Sequence, residues 1–415
     1  MKKTLSLLSS LNDVPHASMS SLNDTPLASM SSLNDVPHAS MSSLNDVPHA
    51  SMSSLNDTPH ASVSSLGLRS KPSRDLPNPQ AKQIPLPPLS GVKLLAVIGI
   101  LCCHTGLIHA FDACARMVEI LFLLSGFLMA YNHFFTTTEH TLLNGWHNVK
   151  KKLPKFYPIH IFTFLLQALF VSYWAEKPLS YLFSVGTLNL TLLHAWFIET
   201  EFSYNNVSWF LSALMFAYLL TPTLAGIIKH LGTTLSALIK FAVFIILFRA
   251  LFEYLTLNGY IRIDLHCNPM IQTLNYALGY TAGVLFQQKS QFNQYIKEKT
   301  SPLFLTILQL LCITLYILCC IRFRDTLRLF FVLIPLPMLY LLAIPRGLIA
   351  KLLSYAPIQK LSTLTLEIFM LHSFILYKFP TNAGDTKSYI IFFTLTLISA
   401  LAFHQAQTLW QKYIR

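Results

Sequence analysis

Long apolar runs separated by short polar connections fill the chain from residue 91 to its end. Ten of these runs are close to the ~20 residues that a helix needs to cross the hydrocarbon core of a bilayer. The pattern predicts an all-α fold, a polytopic membrane helix bundle of about ten transmembrane helices. The predicted spans are 92–111, 114–134, 156–174, 209–227, 238–257, 271–287, 303–321, 328–345, 364–380 and 389–410.

Residues 179–197 form a weaker eleventh apolar run, and the positions of the basic residues decide how to treat it. With ten crossings, the lysines of 150–155 and most later basic loops share the cytoplasmic side with both termini, as the positive-inside rule requires. An eleventh crossing would move those later loops outside. We therefore expect 179–197 to be re-entrant, interfacial or on the outer face. The loop with Arg322, Arg324 and Arg328 is the exception, because it falls outside.

The segment before the first span has no apolar pattern of its own. Residues 1–66 repeat an 11-residue unit such as SSLNDVPHASM, with one proline and one or two leucines in each copy. Such a unit forms no apolar stripe and interrupts a helix repeatedly, so it predicts a disordered tail. Residues 67–90 form a Pro-rich basic cytoplasmic linker, and 91–415 form the membrane domain. A tethering role for the repeats and no role at all are both compatible with this pattern.

Composition agrees with a membrane protein and excludes several other classes. Of 415 residues, 53% are hydrophobic and 12% are charged, whereas soluble domains are about one quarter charged. The net charge of +12 is better explained by membrane topology than by a nucleic-acid partner. The seven cysteines include no CxxC pair and most lie in apolar runs, so we expect neither a metal site nor a redox pair.

An ionisable residue inside a membrane span is costly and therefore a functional candidate. His104 lies within the first predicted span, and Lys93 precedes it by 11 positions. Eleven steps of 100° return to within about 20° of the start, so the two residues share one helix face, ~16 Å apart. A histidine bonded to a neighbouring helix and a snorkelling lysine would explain the same pattern.

Other polar positions in the spans are candidates of the same kind. Ser125 and Gly126 would let a backbone or a thin ligand arm approach closely, although ordinary helix packing explains them as well. The lysines of KKLPKFYP could hold phosphates or only anchor a helix. Arg249 and Glu253 are spaced i, i+4 and are expected to pair on one helix face.

Six segments, taken in order, resemble the acyltransferase-3 family of integral membrane O-acyltransferases, which modify bacterial surface glycans. The resemblance covers roughly residues 91–380. The segments are KLLAVIGILCCH, VEILFLLSGF, KKLPKFYP, SWFLSALMFAYLLTP, NPMIQTLNYALGYTAGVLF and LSTLTLEIFMLHSF.

The resemblance implies roles for individual residues. The implied catalytic residues are His104, which matches the catalytic histidine of the family, and Glu119, which matches its acidic position. Lysine stands at 93 and 155 where the family has arginine, which replaces a bidentate fork with a point charge. The residues implied in donor binding are Lys93, Ser125, Gly126, Lys152 and Lys155. The acceptor-side candidates are Trp209, Arg249, Glu253, His372 and the outer arginines.

The implied function is transfer of an acetyl or another short acyl group from acyl-CoA to a hydroxyl of a cell-surface or lipid-linked glycan. The donor is a substrate, and no bound cofactor or metal is expected. The implied location is the bacterial inner membrane, with the lipid bilayer, acyl-CoA and a glycan as partners. A transporter or flippase of a lipid-linked sugar and a non-catalytic family member are the alternatives. The glycan, the acyl group and the oligomeric state stay open.

Overall fold

Helices are the only regular secondary structure in the part of the chain that the structure describes. The structure is a computed structural model, and it describes residues 85–108, 111–137, 140–322 and 333–414. The side chains of residues 111–114, 175, 321–322 and 414 are not described. The predicted all-α class is confirmed for the described residues. The repeats of 1–66 and most of the linker of 67–90 lie outside them, so the predicted disorder of the repeats stays a prediction.

Fifteen α-helices and one short 3₁₀ helix, His194–Trp196, are present in the described ranges. In chain order, the α-helices are α1 Pro87–His104, α2 Phe111–His133, α3 Leu142–Phe170, α4 Ser172–Ala175, α5 Leu179–Leu190, α6 Trp209–Leu231, α7 Leu235–Leu257, α8 Pro269–Gln288, α9 Ser290–Lys299, α10 Pro302–Arg322, α11 Pro335–Ala343, α12 Leu348–Leu353, α13 Ala356–Ser362, α14 Thr365–Lys378 and α15 Thr386–Ile414.

Six helical segments in the described ranges are long and apolar enough to cross a membrane. These are Pro87–His104, Ala115–His133, Trp209–Leu231, Leu235–Leu257, Pro302–Cys320 and Thr386–Tyr413. The protein is therefore a multi-pass membrane protein. The other four predicted spans coincide with α3, α8, α11 and α14. Of these, α11 has 9 residues and α14 has 14, so the count of ten stays a prediction.

The central contact of the bundle is the packing of α2 against α8, and glycines allow it. A Cβ added to Gly126 on α2 would lie 2.0 Å from the Tyr276 carbonyl oxygen on α8. In the other direction, a Cβ on Gly279 would lie 1.9 Å from the Leu123 oxygen. Real carbon and oxygen atoms do not approach so closely. The two backbones can touch only because both positions lack a side chain, as at many interfaces between membrane helices.

Helix α3 begins well before the span predicted at 156–174. The Thr141 side chain accepts a hydrogen bond from the Asn144 backbone N–H at 3.3 Å and caps the helix at Leu142. Pro158 therefore lies inside the helix, whereas a helix that began at residue 156 would place it in the first turn. A proline removes the N–H that would bond the carbonyl four residues earlier, here that of Pro154. Gln407 of α15 donates its side-chain N–H to that oxygen at 3.2 Å, which fixes α15 beside the lysines of α3.

The segment 179–208 does not form a long span. Helix α5 has 12 residues and is ~18 Å long, whereas the hydrocarbon core is about 30 Å thick. The chain after it is pinned to neighbouring helices. His160 of α3 donates to the Asn189 carbonyl oxygen at 2.9 Å, and the Ser212 hydroxyl of α6 donates to the Leu192 oxygen at 2.5 Å. This geometry agrees with the prediction that 179–197 is not a crossing.

Candidate active site

His104 is the last residue of α1, whereas the sequence pattern placed it in the middle of a longer span. The helix ends because Gly106 adopts a left-handed conformation with φ of 73°, and its N–H bonds back to the Cys103 oxygen at 3.0 Å. Glycine takes this conformation without steric cost. The imidazole is half-buried and therefore lies at a helix terminus next to turning backbone.

The partner of His104 is His372 of α14. His104 Nδ1 lies 2.8 Å from His372 Nε2, and the ring centroids are 5.0 Å apart. His372 is completely buried. The sequence assigned His372 to the acceptor side, but the structure places it directly behind the candidate base. Sequence reasoning had no signal for this contact, because 268 positions separate the residues.

The hydrogen-bond partners fix the tautomers of both rings. His372 Nδ1 lies 2.7 Å from the Phe369 carbonyl oxygen, and a carbonyl can only accept. His372 Nδ1 therefore carries the proton, and the Nε2 atom of a neutral His372 is an acceptor. His104 must then donate its Nδ1–H to His372. This leaves His104 Nε2 with a lone pair, which is the form that a general base needs.

Two features of the surroundings favour the charge that His104 would acquire, whereas burial of the ring and the neighbouring His266 oppose it. If Nε2 takes a proton, the Nδ1–H bond to His372 becomes a charge-assisted hydrogen bond, which is roughly twice as strong as a neutral one. The C-terminal carbonyl groups of α1 carry the negative end of the helix dipole and favour a cation there. These two features would assist His104 when it takes a proton as a general base.

A cavity of about 250 Å³ between α1, α2, α3, α6 and α14 brings four of the five predicted donor-binding residues together. We call it the lysine cavity, because Lys93, Lys152 and Lys155 line it together with Ser125. The Lys152 ammonium lies 5.5 Å from the centre of the Tyr218 ring in the same wall. Gly126, the fifth predicted residue, faces the α8 backbone instead, so its role is close packing.

Phe369 connects the lysine cavity to the histidine pair. Its side chain lines the cavity, its ring centroid is 5.8 Å from that of His372, and its carbonyl oxygen holds His372 Nδ1. The cavity therefore ends against a residue that orients the candidate base. Sequence reasoning missed Phe369, although it precedes His372 by three residues and so shares its helix face.

Glu119 does not contact the histidine pair as a catalytic residue would. Both of its oxygens accept from Arg116 Nη1, at 2.7 and 2.8 Å, and Oε1 also accepts from Arg249 Nη2 at 2.9 Å. All three side chains are buried. The geometry makes Glu119 the anion between two cations. The predicted Arg249–Glu253 pair is wrong, because Arg249 bonds Glu119 across 130 positions instead.

Trp209, an acceptor-side candidate, packs its ring edge-to-face against His266, with centroids 4.6 Å apart. His266 lies close enough to interact electrostatically with His104. Trp209 and His266 therefore form part of the surroundings of the candidate base. Sequence reasoning missed His266, which lies in the loop before α8. Arg324 and Arg328 lie outside the described residues, as does the side chain of Arg322.

Two acidic residues, Glu201 and Asp264, lie in the connections outside the spanning helices. Glu201, Asp264 and Cys267 bring one ligand atom each within 4.8 Å of one another, a set that could hold a metal ion. Burial and the neighbouring Asp264 raise the pKa of Glu201 to about 9. Near neutral pH, Glu201 therefore stays protonated and donates a hydrogen bond to Asp264. The pair then carries less negative charge than two ionised carboxylates would.

Comparison with known proteins decides the family. A family model described as an acyltransferase domain matches residues 88–404, which is most of the chain. This chain belongs to the acyltransferase-3 family. The matched region includes His104 and His372 together with every residue named for the lysine cavity. The acyltransferase activity expected from the sequence is thereby supported at the level of the family.

A curated relative supports the same assignment. It is described as an acyltransferase, MdmB, of Streptomyces mycarofaciens, and it is 27% identical over 154 residues. The match covers 33% of this chain and 38% of the relative, so this chain spans well under half of the relative's length. No solved structure gives a significant match.

Proposed function

We propose that this acyltransferase moves an acetyl or another short acyl group from acyl-CoA to a hydroxyl of a cell-surface or lipid-linked glycan. It would do so in a bacterial inner membrane, with both termini cytoplasmic. One observation carries the proposal: the lysine cavity ends at Phe369, which holds His372 behind His104. Lysine ammonium groups suit the phosphates of CoA, and His104 suits proton removal from a hydroxyl.

In the proposed reaction, the hydroxyl oxygen of the acceptor attacks the thioester carbonyl carbon while His104 Nε2 takes the hydroxyl proton. A C–O bond forms and the C–S bond then breaks. The leaving thiolate of CoA receives the proton from the His104 imidazolium, which restores the neutral base. His372 accepts the Nδ1–H bond throughout, so His104 keeps one orientation and one tautomer.

The proposal is tested with purified protein in lipid nanodiscs, acetyl-CoA and a panel of bacterial glycans. Released thiol and acetylated glycan are measured together, because transfer must produce both in equal amounts. His104→Ala should lower turnover by about 10²- to 10⁴-fold, the usual contribution of a general base, while the protein still inserts. Full activity of that variant would overturn the assignment of His104.

The acceptor is sought in the host itself. Mass spectrometry of surface glycans with and without the gene should show acyl groups that disappear on deletion and return with the wild-type gene. Return of these groups with His104→Ala would contradict the proposed chemistry. Unchanged glycans in all strains would instead contradict a surface glycan as acceptor.

A further inference from the structure

A second cavity of about 370 Å³ adjoins the lysine cavity near the C-terminal end of α2. Leu128 and Asn132 line both spaces. They are one helical turn apart on α2, so a single stripe of this helix forms a shared wall. A ligand longer than either cavity can therefore extend from one into the other.

The lysine cavity alone is too small for a CoA thioester. Its volume of about 250 Å³ is below the roughly 300 Å³ at which pockets for small molecules begin. CoA consists of a pantetheine arm, a diphosphate and a phosphorylated nucleoside. If the arm and the phosphates fill the lysine cavity, then the nucleoside must lie elsewhere.

The second cavity has the chemistry that a nucleoside requires. The described residues of its walls include no charged side chain but do include neutral polar ones, those of Ser90, Tyr131, Asn132 and Gln359, beside residues 85–87. Heterocyclic bases bind through apolar or aromatic contact and a few neutral hydrogen bonds. The cations, in contrast, are on the lysine side of the shared wall.

The side-chain amide of Gln359 indicates which hydrogen bond the second cavity can offer a ligand. Its side-chain Nε2 donates to the Pro87 oxygen at 2.9 Å and to the Leu353 oxygen at 2.6 Å. These two bonds use both N–H groups of the amide. Oε1 is therefore the side-chain atom left to meet a ligand, and it can only accept. An exocyclic amino group of a base is the kind of donor that it fits.

We propose that the second cavity seats the nucleoside of the CoA donor, with the phosphates against Lys93, Lys152 and Lys155. This inference rests on the proposed function, since it concerns the same donor. It also narrows the donor class. An acyl group carried on the phosphopantetheine of a carrier protein has no nucleoside and could not use this cavity.

The test compares the binding of CoA with that of a CoA analogue that lacks the adenine base but keeps the ribose and all three phosphates, by calorimetry on the purified full chain, which requires no turnover. The wild type should bind CoA at least tenfold more tightly. Ser90→Phe fills the second cavity and should remove most of that difference, while the affinity for the analogue without the base stays within about twofold. Ser90→Leu adds less volume and should give an intermediate loss.

Leu95→Phe is the matched control, because Leu95 lies on the same helix with 54% of its surface exposed, outside both cavities. It should bind CoA like the wild type. Equal affinity of the wild type for the two ligands would overturn the nucleoside seat, as would a Ser90→Phe variant that loses both ligands equally. If CoA binds as expected but no acyl group reaches any glycan, then the proposed function fails while the nucleoside seat stands.

Discussion

His104 Nδ1 lies 2.8 Å from His372 Nε2, although the two residues are 268 positions apart in the chain. Because the Phe369 carbonyl oxygen holds the other nitrogen of His372, the chain of hydrogen bonds has one direction. It leaves the lone pair on His104 Nε2. His372 is therefore a positioning residue that sets the tautomer of the candidate base.

Replacement of His372 should affect turnover more than donor binding. His372→Ala removes the acceptor of the His104 Nδ1–H bond, so the proton can move to Nε2, where it blocks the base. We expect kcat to fall by about 10- to 100-fold, as for the loss of a hydrogen bond worth about 1.5–3 kcal/mol to a charged group. The KM for acyl-CoA should stay within twofold.

His372→Gln is the matched variant, because an amide oxygen can accept the same bond. It should restore part of kcat, as measured by thiol release. If Gln and Ala behave alike, or if KM changes while kcat does not, then His372 does not set the tautomer.

Lys93 should contribute to donor affinity through its charge. Lys93→Met removes one cation from the lysine cavity and should raise the KM for acyl-CoA by about 10-fold or more, since charged hydrogen bonds contribute about 1.5–3 kcal/mol. Lys93→Arg should keep or raise the activity, because a guanidinium also binds phosphate. The control is Lys240→Met, at an exposed lysine of α7. Complete loss of activity in Lys93→Arg would show that the site requires a lysine.

Glu119 should matter chiefly for stability. Glu119→Gln leaves Arg116 and Arg249 buried without their shared anion, and breaking a buried ion pair costs about 3–5 kcal/mol. We expect a clear fall in the melting temperature of the protein in detergent. Glu253→Gln is the control, because Glu253 does not bond Arg249, and its effect should be below about 0.5 kcal/mol. A Glu119→Gln protein of normal stability but without activity would instead indicate a chemical role.

Glu201 should make stability depend on pH. The pKa of Glu201 in the folded protein is raised from 4.5 to about 9 by burial and by Asp264. Between these values the folded state holds a proton that the unfolded chain has released, so the stabilisation falls as pH rises toward 9. Glutamine does not titrate, so Glu201→Gln should melt like the wild type near pH 5 and at a higher temperature near pH 9.

The matched control for this prediction is Glu176→Gln. Glu176 is an exposed carboxylate that is not among the charges acting on Glu201. Its melting temperature should follow that of the wild type at every pH. Parallel curves for Glu201→Gln and the wild type would contradict a protonated Glu201 in the folded protein.

The sequence by itself determined that the described part of the chain is all-helical and which apolar runs become its long helices. Apolar run length requires a helix in lipid, since only a helix satisfies all of its backbone groups within one segment. The spacing of Lys93 and His104 follows from helix geometry, and the cluster at 150–155 is visible as plain charge. Family membership also followed from local motifs. None of these inferences requires knowledge of which helices are neighbours.

Only the tertiary structure decided the partners. Glu119 pairs with Arg116 and Arg249, and Gly126 packs against α8 while its neighbour Ser125 lines the cavity. The physical reason is that the spanning helices are apolar on most faces, so hydropathy does not mark the side that meets another helix. Close packing and buried polar bonds between distant segments select that side, and they placed His372 behind His104.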